Sequence, residues 1–219
     1  MNGGPVRPLA IRAQDKPENK TFADLLLSPL KTNLSIGITG DSNTYGYGLS
    51  DTSQSWANLL ASELSQISTM RYSYDSPWVE ALGAFGYGNG YNFKPGSQMT
   101  IWTDAGELSL SISTNYSSAW DWYVDDVLQV GQNSMATIVL DGTLHKITVK
   151  FTGGQAVTPL FVLSKTISFE NVAVSGVSTS NVTIPEDKDW LLIMIGTNNR
   201  TEIPFALSNK FWAYAGKGT

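Results

Sequence analysis

The chain has 219 residues, of which 42% are hydrophobic and 15% charged, with a formal net charge of −5. That balance makes nucleic acid or an anionic membrane surface a poor partner. There is no cysteine and one histidine, His145. Disulfides, thiolate metal sites and histidine-rich metal clusters are therefore excluded, and a single imidazole remains for base catalysis.

The first residues, Met1-Asn2-Gly3-Gly4-Pro5, do not read as a signal peptide, and no apolar run reaches the length of a membrane span. Residues 1–33 carry Pro5, Pro8, Pro17 and Pro29 with charges between them. They read as an extended arm with a short helical or irregular turn around Thr21 to Leu27. A docking arm and a disordered terminus both fit that composition. Leu34 to Thr39 reads as a strand of mainly apolar residues. The loop Gly40 to Ser50 holds Gly40, Gly46 and Gly48, which suits a tight path and close approach. In Gln54 to Ile67, Trp56, Leu59, Leu60, Leu64 and Ile67 fall at helical spacing, with Thr52 and Ser53 as candidate caps.

From about Arg71 the pattern changes. Gly83 to Tyr91 is a glycine-aromatic loop. Short β-type runs follow at Met99–Trp102, Leu108–Ile112, Trp120–Val124, Ile138–Leu140, Ile147–Phe151 and Thr158–Leu163. Asp141-Gly142 reads as a hairpin turn between the fourth and fifth of these. The spacing predicts an all-β sandwich over residues 71–165, inserted into a domain formed by residues 34–70 and 166–219. Phe169 to Val174 reads as a strand ending at Ser175-Gly176. Trp190 to Ile195 is apolar throughout, as expected of a parallel strand covered on both faces, and ends at Gly196-Thr197-Asn198-Asn199.

Three strand ends therefore carry small or polar residues: Gly40-Asp41-Ser42, Ser175-Gly176 and Gly196-Thr197-Asn198. In a parallel sheet such ends share one edge, where ligands of open α/β sheets bind. Ser42 could attack a carbonyl carbon. The main-chain N–H groups of Ser42 and Gly176, with the Asn198 amide, could hold the oxyanion, each such donor being worth about 2.7–4 kcal/mol.

This set of blocks resembles the SGNH (GDSL-type) hydrolase superfamily. The resemblance covers residues 34–70 and 166–200. It implies an α/β, flavodoxin-like parallel sheet with helices, interrupted by the β-sandwich. It also implies a serine esterase without metal or cofactor, with Ser42 as nucleophile and Gly176 and Asn198 as oxyanion donors. Two departures stand out. Asn199 replaces the family's aspartate, and no D-x-x-H block follows, so the chain looks like the N-terminal part of such an enzyme. His145, between Leu144 and Lys146, reads as a surface or strand histidine rather than the base.

An inserted sandwich in an SGNH-like domain is similar to the carbohydrate-binding insertion of some bacteriophage tail-appendage esterases. That resemblance implies removal of O-acetyl groups from a surface polysaccharide. It implies a virion or extracellular location, and contact with other virion proteins through residues 1–30. A homo-oligomer stays open. Trp78, Tyr87, Tyr91, Trp102, Trp120 and Trp122 are candidates for stacking on sugar, with core packing the alternative for each. Alternation places Trp120 and Trp122 on one face. The rival function is a non-catalytic glycan-binding or structural virion protein.

Overall fold

The computed structural model describes residues 21–83, 85–87, 90–112, 118–129, 135–177 and 181–195. In chain order the described elements are α1 (Phe22–Leu27), β1 (Asn33–Gly40), α2 (Ser42–Tyr45), a 3₁₀ turn (Thr52–Gln54), α3 (Trp56–Ser65), β2 (Thr69–Ser73) and β3 (Val79–Leu82). Then come β4 (Phe85–Tyr87), β5 (Gly90–Phe93), β6 (Gln98–Thr103), β7 (Glu107–Ser111), β8 (Ala119–Val124), β9 (Val127–Leu128) and β10 (Thr137–Val139). The last are β11 (His145–Gly153), β12 (Ala156–Val157), β13 (Leu160–Ser164), β14 (Thr166–Asn171) and β15 (Trp190–Met194). They fall into two units, one of Met1–Thr32 with Thr69–Lys165, the other of Asn33–Ser68 with Thr166–Thr219.

In the second unit, Leu34, Ile36 and Ile38 are fully buried on β1, the central strand of a parallel sheet ordered β14-β1-β15. Asp189 fastens the start of β15 to β1: its carboxylate accepts from Ser35 N (2.8 Å) and Ser35 Oγ (2.9 Å), and its own N–H donates to Ser35 O (2.9 Å). A parallel pair needs a crossover, usually helical. Among the described residues only α3 has that character, and it packs on β14. No α-helix forms among the described residues between β14 and β15. That segment instead lies over β1, with Thr39 Oγ1 donating to Thr183 O (2.6 Å) and Pro185 filling the space above Gly37.

The expected SGNH-like α/β class is therefore corrected. Among the described residues parallel pairing is confined to three strands, while the other three sheets are antiparallel throughout. The described α-helices have 6, 4 and 10 residues, too little to cover two faces of an extended parallel sheet. α3 is also shorter than the expected 54–67. Ser55 Oγ accepts from Asn58 N and starts the helix, while Thr52–Gln54 forms its own turn under an Asp51 cap. Leu59, expected on the apolar face, is 52% exposed.

In the first unit, sheets ordered β10-β7-β13-β2 and β3-β6-β11-β8-β9 share one hydrophobic core, and β12-β5-β4 forms a third, small sheet. Trp122, Phe93, Phe151 and Phe161 are the largest fully buried side chains, each worth about 1.5–3 kcal/mol of transfer free energy. Phe93 and Phe151 stack obliquely at 5.1 Å between centroids. The Asp141-Gly142 hairpin does not form. β10 pairs with β7 and β11 with β6 and β8, so the turn is a corner between two sheets. A tight hairpin does form at Asp125-Asp126, both left-handed (φ 49° and 68°), joining β8 to β9.

Residues 21–32 belong to this unit. Thr21 and Asp24 form a reciprocal capping box on α1. Tyr72 Oη donates to Leu27 O (2.8 Å), and Thr32 N donates to Asp104 (2.6 Å). The earlier part of the expected arm, residues 1–20, lies outside the described residues.

Candidate functional site

The site is built where β1 ends. A Cβ on Gly40 would sit 2.2 Å from both Met194 O and Thr44 Oγ1, so only glycine lets the strands close here. Asp41 N donates to Met194 O (3.2 Å), and Thr44 Oγ1 donates to the same carbonyl (3.0 Å). The Asp41 side chain is buried and accepts from Asn43 N (3.0 Å), which starts the single turn α2 with Ser42 as its first residue. Gly46, left-handed at φ 92°, ends that turn and donates its N–H to Ser42 O (3.0 Å). Ser42 is thus held on a rigid turn, half-buried.

On the other side of β1, the chain leaving β14 keeps pairing with the end of β1. Val172 N donates to Ile38 O (2.9 Å) and Val174 N to Gly40 O (3.2 Å). Ser42 and Gly176 each lie two residues beyond the Gly40–Val174 hydrogen bond. Gly176 is exposed and left-handed at φ 75°, in a turn that glycine favours. The ends of β1, β14 and β15 therefore share one edge, carrying Ser42 and Gly176. Asn198, four residues past Met194, lies outside the described residues.

Neither the N–H nor the hydroxyl of Ser42 is hydrogen-bonded to a described residue. The described residues of this unit include no imidazole to activate the hydroxyl. His145 heads β11 in the first unit, its Nδ1 2.7 Å from Asp125 Oδ2 and its Nε2 2.9 Å from Asp141 Oδ1. Both ring nitrogens face carboxylates, and in the imidazolium that donates to both neither keeps a lone pair for proton abstraction. Among the described residues no group of His, Asp or Glu is arranged to hold a metal ion.

The aromatic candidates divide. Trp120 (6% exposed) and Trp122 (0%) share a face as expected, but that face is the core, and both indole N–H groups donate to Met135 O at 2.9 and 2.8 Å. Neither can stack on a sugar. Trp78 and Trp102 are half-buried, with Trp78 packed against the edge of the core. The side chains of Tyr87 and Tyr91 lie outside the described part. Tyr123, which the sequence reading passed over, projects from β8 on the face opposite Trp122, with Lys150 Nζ 4.0 Å above its ring. Strict alternation with Trp122 was the signal for it. Also unforeseen was Trp56, whose buried Nε1 has no hydrogen-bond partner among the described residues.

No protein-family model matches this chain, and no curated protein matches it. Among solved structures, the catalytic unit of a thermostable GH87 α-1,3-glucanase from Streptomyces thermodiastaticus is similar over 46% of this chain at 11% identity, with a TM-score of 0.33. The match spans 26% of the glucanase chain. The resemblance to SGNH hydrolases is corrected accordingly: no family match carries it, and the mainly antiparallel architecture departs from a helix-covered parallel sheet. No described helix is long and apolar enough to cross a membrane.

Proposed function

We propose that Ser42 is the nucleophile of a carboxylic-ester hydrolase, with O-acetyl groups of a polysaccharide as its substrate. The observation that carries this is the shared edge. Gly40 O receives Val174 N, and Met194 O receives both Asp41 N and Thr44 Oγ1, so the turns bearing Ser42 and Gly176 are fixed to neighbouring strand ends. Ser42 Oγ attacks the acyl carbon. The Ser42 and Gly176 N–H groups face the developing oxyanion, and Asn198 adds its amide to the same role. The sugar leaves as its alcohol, carrying the proton that the Ser42 hydroxyl gives up, and water then cleaves the acetyl-serine to acetic acid and restores the hydroxyl. The carbohydrate part of the proposal draws on the half-buried indoles Trp78 and Trp102. A virion or extracellular location, and contacts of residues 1–30 with other virion proteins, belong to the same proposal.

One observation favours a second reading. No described residue offers a free base to Ser42, and a serine without one is a weak nucleophile. On that reading the chain binds glycan without cleaving it. Acetate release from an O-acetylated polysaccharide separates the two. Hydrolysis is expected from the wild type and not from Ser42→Ala. Glycan binding with no acetate release from either protein would favour the binding module.

A further inference from the structure

His145 stands between two turns that are far apart in sequence. Its Nδ1 meets Asp125 of the β8–β9 hairpin, and its Nε2 meets Asp141 of the corner leading into β11. A carboxylate accepts and does not donate. Both contacts are hydrogen bonds only when both nitrogens carry protons, in the imidazolium. Asp125 is held further by Lys146 N at its Oδ1 (2.9 Å) and by its own N–H on Lys146 O (2.9 Å). Asp141 Oδ1 accepts from Thr143 N (2.8 Å) and Thr143 Oγ1 (2.7 Å), and that hydroxyl also lies 3.1 Å from His145 Nε2.

We propose that His145 is a proton-operated clasp joining the Asp125-Asp126 turn to the corner at Asp141–Leu144. In the imidazolium it bridges both carboxylates. When one proton leaves, Nδ1–H stays on Asp125, the shorter contact, and Nε2 becomes an acceptor facing an acceptor. The Thr143 hydroxyl then turns from Asp141 to Nε2, and Asp141 is released. The left-handed Asp125-Asp126 hairpin keeps its ties to Lys146, while the corner exchanges its charged contact through Asp141 for a neutral one through Thr143.

The charged groups around the ring are Asp125, Asp141, Asp126 and Lys146, the last two paired with each other at 2.8 Å. The partner of His145 on β6, Thr103, is uncharged. The two carboxylates, Asp125 first and Asp141 second, raise the imidazole above its ordinary value of 6.5. Release therefore comes as pH rises through a midpoint above 6.5.

His145 is the one histidine of the chain, so its titration is unambiguous. The test is an NMR titration of the full chain, following the imidazole carbons and the amides of Thr143 and Lys146. The expected result is an imidazole midpoint above 6.5. The Thr143 amide should move with that midpoint, and the Lys146 amide should move much less. In His145→Gln the Thr143 amide should be flat between pH 6 and 8. In Asp141→Asn, which keeps Asp125 in place, the imidazole midpoint should fall. A midpoint at or below 6.5, or a Thr143 amide indifferent to it, would overturn the clasp, as would an unchanged midpoint in Asp141→Asn.

Discussion

Lys165 Nζ donates to Leu25 O across 2.9 Å, from a side chain that is 3% exposed. The same ammonium reaches Lys31 O (2.9 Å) and Ser28 O (3.3 Å). Three carbonyls at the end of α1 and beyond it thus find their donor in one residue at the end of β13. Burial pulls the Lys165 amine down to about 8, so at neutral pH it remains largely charged and supplies all three protons.

Lys165→Met fills a similar volume but leaves those carbonyls without a donor. Each buried unsatisfied group costs about 1–3 kcal/mol. Urea denaturation should show a loss of at least that size, and protease should cut within residues 21–32 sooner than in the wild type. Equal midpoints would mean that water replaces the amine at no cost.

Tyr72 Oη on Leu27 O fastens the same segment from β2. Tyr72→Phe keeps the ring in the core and removes one hydrogen bond, with an expected loss of about 1 kcal/mol by chemical denaturation. Tyr72→Ala should cost more, because it also empties a buried site.

Trp122→Ala should cost about 3–5 kcal/mol, the range for a large buried aromatic. Trp102→Ala, on a half-buried indole, should cost clearly less. If Trp102→Ala instead matched Trp122→Ala in denaturation, the assignment of the two faces of the sheet would be wrong.

Stability should depend on pH from both sides. Hydrogen bonds from Thr143 and His145 hold Asp141 down at about 2, from an ordinary 3.8, and Asp125 is lowered mainly by His145. Their contribution is present above 3.8 and is lost as pH falls through the folded value. His145 is raised, so its contribution is complete below 6.5 and is lost as pH rises through its folded value. From Asp141, Asp125 and His145 the contribution to the thermal midpoint should be largest between about pH 4 and 6.5, and His145→Gln should remove the decline that begins above 6.5; the lowered Lys165 acts in the opposite direction only above about pH 8.

Much of the local structure was legible. The apolar run after Asn33 is β1, the central strand, with Leu34, Ile36 and Ile38 buried. The all-apolar Trp190 run is β15, but it is not covered on both faces as expected: it lies at the edge of the described sheet, half-buried from Trp190 to Ile193 and exposed at Met194. Trp120 and Trp122 do share a face, since a strand alternates sides whatever lies above it. What alternation cannot tell is which face turns inward. Leu108, Leu110 and Phe161 on the facing sheet decided that. Asp141-Gly142 misled because its turn chemistry is real: Asp141 accepts from Thr143 N and Gly142 is left-handed at φ 81°. A turn residue pair does not say whether the flanking strands pair with each other. The fold class failed for a related reason. Three glycine-ended runs suggested a parallel sheet, but nothing local reveals how few helices would cover it. The shared edge of Ser42 and Gly176 was legible as a set of strand ends. The Thr44 and Asp41 bonds to Met194 O, which fix the Ser42 turn, were not.

Gly40→Ala places a methyl group where Met194 O and Thr44 Oγ1 now sit. Overpacking of this kind costs about 1–3 kcal/mol. Any activity of Ser42 should fall with it, while Gly48→Ala, in open space but left-handed at φ 87°, should affect stability without touching the edge.

The most direct measurement is covalent labelling of the full chain by a fluorophosphonate, read by peptide mass spectrometry. The expected result is one phosphonylated peptide, modified at Ser42, and no label in Ser42→Ala. No label on the folded wild type, or equal label at another residue in both proteins, would contradict Ser42 as the nucleophile.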